Sequence, residues 1–214
     1  MIFAAPPPPS GIGAPGRRRD GGGRPSCNQE SQSVLSDSKP LTALVPTSPA
    51  GVVWGLTIAD RSTFWFYSPY SSAMDGVFVL EDETKQQTEY KMTLAGAPGV
   101  IRFTLPPTAA PLAIGTPYRW YFKVYCKDDH TQPIAFVEGN LQRQSVSTTF
   151  KNQLAKASDR DRVALYAANG IWHEALEAAA DLRRSNVEET SWLSLLSAIG
   201  LQDIARKPLV DCCK

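Results

Sequence analysis

Tyr118-Arg-Trp-Tyr-Phe-Lys-Val-Tyr-Cys126 alternates without interruption. Tyr118, Trp120, Phe122, Val124 and Cys126 fall on one side of an extended chain, and Arg119, Tyr121, Lys123, Tyr125 and Lys127 on the other. Successive side chains of a strand point to opposite faces, so the stretch reads as a strand with one buried aromatic face. No other local signal in the 214 residues is as strong, and it speaks of folding rather than of catalysis.

Shorter segments of the same kind surround it. Leu41–Val45, Val52–Ile58, Thr63–Tyr67, Gly76–Leu80, Thr88–Leu94, Val100–Leu105 and Ile134–Leu141 are apolar or alternating, and most are closed by proline or glycine. In Thr63–Tyr67, Phe64 and Phe66 oppose Trp65 and Tyr67. Seven or eight short strands at regular spacing predict a β-sandwich over residues 41–146. Residues 1–40 are rich in proline, glycine and serine around Arg17, Arg18 and Arg19. Such a composition does not bury enough apolar surface to offset its ordering entropy, so a disordered leader with a solvated basic triplet is expected.

After Ser147 the period becomes helical. Ser158 reads as a helix N-cap, Ile171–Arg184 as an amphipathic helix ended by two arginines, and Glu188–Ile199 as a third helix closed by Gly200. Residues 147–207 are thus a helical segment, with 208–214 as a tail. Leu165–Leu176 resembles the centre of a single tetratricopeptide hairpin, which cannot bury its own apolar face and is expected to pack on the sandwich. Leu112-Ala-Ile-Gly-Thr-Pro-Tyr118 resembles the tyrosine corner of fibronectin type III and immunoglobulin-like domains, with Ile114 where a proline is usual. By that resemblance Tyr118 is a structural corner whose hydroxyl bonds to nearby backbone. The expected class is therefore α+β: an immunoglobulin- or fibronectin-like antiparallel β-sandwich followed by a small C-terminal helical hairpin.

Larger pieces carry a wider resemblance. They are Gly21–Arg24 with Cys27, Leu41–Pro46, Gly55–Thr57, Thr63–Tyr67 with Pro69-Tyr70, Tyr118–Phe122 with Cys126, Phe136–Gly139, and Leu165–Ala167 with Gly170–Trp172. Together they resemble a cyanobacterial family known as domain of unknown function 928. The resemblance implies a secreted or periplasmic protein and supplies no activity. It also favours a Cys27–Cys126 disulfide, which would close a loop of about 100 residues and contribute ~4–5 kcal/mol in the chain-entropy model. Pairing requires an oxidising compartment; the competing reading is a buried free thiol at Cys126 and an untethered Cys27. Met1–Pro6 lacks the basic and apolar regions of a signal peptide, so a cytoplasmic location stands as the alternative to a periplasmic or extracellular one.

Chemistry is sparse. With 22 basic and 21 acidic residues and a net charge of +1, there is no bias toward nucleic acid or an anionic membrane. No apolar run approaches the ~20 residues of a membrane span. There is no Gly-x-Ser-x-Gly, P-loop or dinucleotide fingerprint. No C-x-x-C accompanies His130 and His173, and the terminal Cys212-Cys213 pair has no assigned role. Hence no catalytic residue, cofactor or metal ligand is expected. His130 beside Asp128 and Asp129 is a solvated turn or, less simply, a hydrolytic site with Asp128 or Glu138. Glu138, on an otherwise apolar strand, needs a cation, with Arg102 and Arg119 the candidates. Trp65, Tyr67 and Tyr121 either form an exposed aromatic platform or lie under the helices.

The leading expectation is a non-enzymatic, exported module that binds or assembles with a protein partner. The alternatives are carbohydrate binding through the exposed aromatics and an unrecognised hydrolase.

Overall fold

Two β-sheets face each other through the aromatic side chains of their strands, and helices pack on the outer face of the smaller one and against the β2 edge of the larger. The computed structural model describes residues 8, 11, 13–21, 27, 39–127, 129–186 and 188–211. The strands are β1 (Thr42–Ala43), β2 (Trp54–Thr57), β3 (Thr63–Ser68), β4 (Met74–Glu81), β5 (Gln87–Leu94), β6 (Gly99–Thr104), β7 (Pro117–Tyr125) and β8 (Ala135–Arg143). One sheet has the order β1-β3-β6 and the other β2-β8-β7-β4-β5. All pairings are antiparallel except β2 with β8.

The alternating stretch is β7, near the middle of the larger sheet. Trp120, Phe122 and Val124 are fully buried, each side chain contributing about 1.5–3 kcal/mol of burial. Phe66 of β3 stacks on Phe122 at 4.3 Å, and Phe64 meets Phe78 of β4 at 4.5 Å. These contacts join the two sheets. The other side of β3 carries Trp65 and Tyr67, and both are buried, at 2% and 1% exposure. Trp65 packs edge-on against Trp192 at 5.6 Å, and its indole donates to Glu177 at 3.1 Å. The exposed platform that Trp65 and Tyr67 were one option for is therefore not formed, because the helices occupy that face.

The helices are α1 (Thr148–Lys156), α2 (Asp159–Ala168), α3 (Trp172–Ser185), α4 (Ser191–Ala198) and α5 (Gln202–Ala205). Ser147 caps α1 by accepting from the Phe150 amide, and Ser158 caps α2 by accepting from the Asp161 amide. α3 packs across β2 and β3. At its start, Glu174 Oε1 accepts from the Thr57 hydroxyl (2.6 Å) and from the amides of Ile58 and Ala59 (2.9 Å each). His173 is buried beside it. A Cβ added at Gly55 would lie 2.5 Å from the His173 ring, so only glycine permits this approach. Among the described residues no helix is long and apolar enough to cross a membrane.

The leader departs from expectation between residues 13 and 21. Arg17 exchanges both backbone hydrogen bonds with Glu138 of β8, and Arg18 accepts from Ala43 of β1, so this segment ties one sheet to the other. The basic triplet is engaged rather than solvated. Arg17 lies over the Phe136 ring at 4.3 Å, Arg18 donates to the Ile199 carbonyl at 2.7 Å, and Arg19 pairs with Asp203 at 3.1 Å. Composition missed this because the segment brings backbone and cations to the fold, not apolar side chains. Cys27 and Cys126 form a disulfide with Cα atoms 5.4 Å apart, fastening the leader to the end of β7. Cys212 and Cys213 lie outside the described residues.

Candidate functional site

The two sheets have two sides, and they are finished differently. On the β1–β2–β8 side the leader laces them together. On the other side β5 and β6 are both edge strands, joined by the short connection 95–98. Between them opens a cleft of about 750 Å³. Tyr90, Met92 and Phe103 give it an apolar floor, and Lys91, Arg102 and Arg184 a basic rim, with Glu89 and Asp211 opposed. The Tyr90 and Phe103 rings lie 5.8 Å apart, and burial pushes the Tyr90 phenol above its ordinary value. A second hollow of about 640 Å³ shares Glu89 and Tyr90 and runs on toward Leu80, Leu112 and Tyr118.

The cleft's rim is braced by the helical layer. Arg102 pairs with Glu177 of α3 at 3.1 Å, and Arg184 lies over the Trp65 ring at 5.3 Å. Burial raises the Glu177 carboxyl above its usual range, and Arg102 pulls it back down. The tail also reaches this side: Val100 of β6 donates to Pro208 O (2.7 Å) and accepts from Val210 N (2.9 Å).

The residues singled out from the sequence lie elsewhere. Tyr118 turns its hydroxyl to the Ala113 amide, from which it accepts at 3.0 Å. Tyr121 is half-buried on the outer face of β7, between the Arg119 guanidinium (5.7 Å) and the Lys123 ammonium (5.6 Å). Glu138 pairs with Arg119 at 2.8 Å, which makes it a structural ion pair on that face. His130 meets Asp75 at 2.8 Å, not Glu138, and Asp128 lies outside the described residues. His173 Nδ1 lies 2.8 Å from the Thr63 carbonyl; a carbonyl only accepts, so the proton sits on Nδ1. Complete burial holds this imidazole below its ordinary value. Among the described residues no group of three or more His, Cys, Asp or Glu side chains could hold a metal ion.

Sequence reading did not find the cleft. Its local signal is the short connection 95–98, which carries the chain from the edge of one sheet to the edge of the other.

A family model described as Domain of Unknown Function (DUF928) matches residues 16–209. The chain belongs to the DUF928 family. The match begins at Gly16, one residue before the leader bridges to β8, so the DUF928 unit includes the lacing segment as well as both sheets and the helices. No curated protein and no solved structure matches the chain.

Proposed function

We propose that this DUF928 protein is an exported, non-enzymatic module that binds a protein partner in the cleft between β5 and β6. The observation that carries the reading is the cleft itself. Its floor is aromatic and its rim charged, the arrangement of a protein-binding groove rather than of an acid–base centre. The Cys27–Cys126 bridge supports export, because such bonds persist in oxidising compartments. An immunoglobulin-like reading of the β region is supported by the strand order, in which β1 pairs with β3 while β2 runs parallel to β8 at the edge of the opposite sheet. A hydrolytic role has less support, since Arg119 takes up Glu138 and the His130 ring meets Asp75.

The test is site-specific photo-crosslinking in the native envelope fraction, with the photoreactive residue at Thr104 on the cleft or at Asp159 on α2. A different protein captured from Thr104 and not from Asp159 is the expected result. Equal labelling from both positions, or recovery of the chain only from the cytosol, would overturn it.

A further inference from the structure

β5 is an eight-residue edge strand with no proline, glycine or bulge. It pairs with β4 alone. Natural sheets seldom leave so regular an edge unpartnered, because its free N–H and C=O groups invite another strand.

The direction of those groups follows from the hairpin. Asp82 N–H donates to Gln86 O at 3.1 Å, and this pair continues the register in which Phe78 faces Tyr90. Hydrogen-bonded and non-hydrogen-bonded pairs alternate along an antiparallel ladder. Tyr90 therefore turns its amide and carbonyl toward β4, while Gln87, Glu89, Lys91 and Thr93 turn theirs to the open edge. Among the described residues none of those four has a backbone partner outside β4.

The side chains then select what can sit there. Glu89 and Lys91 lie two apart on the exposed face of β5, and neither forms an ion pair with another described residue. We propose that the occupant of this edge is the β5 strand of a second copy of the chain, antiparallel and centred on Tyr90, giving one continuous ten-stranded sheet from two five-stranded ones.

Centred on Tyr90, Glu89 of each copy lies opposite Lys91 of the other, and both of these pairs are hydrogen-bonded backbone pairs. Gln87 lies opposite Thr93 in the same way. On the inner face the two Tyr90 rings meet at a non-hydrogen-bonded position, where side chains come closest, beside Thr88 and Met92. Moving the centre to Glu89 or to Lys91 sets like charges directly opposite, which is destabilising. The charge pattern thus selects one register as well as one partner. Because Tyr90 stands on the cleft floor, pairing joins the two clefts into a single two-fold groove to which each copy contributes its tyrosine.

The experiment is sedimentation equilibrium of the full, oxidised chain over a wide concentration range. The parent chain is expected to dimerise reversibly. Glu89→Lys and Lys91→Glu, each alone, set like charges opposite in the two-fold dimer and are expected to weaken it about tenfold or more. An equimolar mixture of the two variants restores opposite charges at both positions and is expected to recover the dimer. Lys91→Pro removes an N–H that faces the second copy and not β4, so it is expected to abolish dimerisation while circular dichroism stays that of the parent. A chain that stays monomeric throughout, a dimer untouched by either single variant, or a mixture that fails to recover would each overturn the proposal. A self-pairing chain that captures no other protein overturns the partner reading above and leaves this one standing.

Discussion

The two lateral sides of the β region start from the same problem and solve it differently. Each exposes one edge from each sheet. On the β1–β2–β8 side, residues 13–21 bridge the sheets through Arg17, Arg18 and Arg19, and further along the chain Cys27 is bonded to Cys126. Close by, α3 docks His173 and Glu174 onto β2 and the loop that follows it. On the β5–β6 side the edges stay apart, and the space between them is the cleft. The laced side is built for stability, and on the reading proposed above the open side serves recognition, so substitutions on the two should separate stability from association.

The largest stability effect is expected from the disulfide. Cys126→Ala should lower unfolding free energy in denaturant titration by about 2–5 kcal/mol, with Cys27→Ala equivalent and the double variant no worse. Equal stability of the oxidised and reduced parent would break this half of the comparison. Gly55→Ala comes next: its methyl would collide with the buried His173 ring, at an expected cost of about 1–3 kcal/mol, read from the same titration. Arg18→Ala removes the guanidinium from the Ile199 carbonyl and should cost about 1 kcal/mol, seen as a lower thermal midpoint.

The laced side should also carry a pH dependence. His173 has a folded pKa below its ordinary 6.5, so the fold refuses a proton that the unfolded chain accepts. Above 6.5 both states hold the neutral ring and no penalty applies. As pH falls through 6.5 and below, the unfolded state gains by protonation and stability declines. Denaturant midpoints measured from pH 8 to pH 5 should show this decline, and His173→Gln, which retains an N–H donor, should flatten it. Smallest of all, Lys91→Glu and Thr104→Ala on the open side should shift unfolding by no more than about 0.5 kcal/mol. A large loss of stability from either would mean that the open edge is structural after all.

Much of this architecture was legible in the residues. Strict alternation in Tyr118–Cys126 marked β7 and its buried face, since period two admits one assignment once one face is aromatic. Turn residues marked the other strands, and Ser158 the start of α2. What alternation left open was the fate of the second face. Trp65 and Tyr121 are both aromatic residues on the side of a strand away from the inter-sheet core, yet Trp65 is buried under α3 and α4 while Tyr121 lies half-covered between two cations. No local pattern distinguishes them, because the covering elements lie more than 100 residues away from Trp65 in the chain.

The sequence by itself determined the elements, the alternating core of β7 and the lack of catalytic motifs along the chain, because these depend on the period and type of neighbouring residues. Only the tertiary structure decided that the arginine-rich leader laces the sheets, that Glu138 belongs to Arg119 and His130 to Asp75, and that β5 and β6 stand as facing edges. Each of those outcomes depends on which distant strands become neighbours, and that is set by the packing of two sheets and a helical layer rather than by any stretch of chain alone.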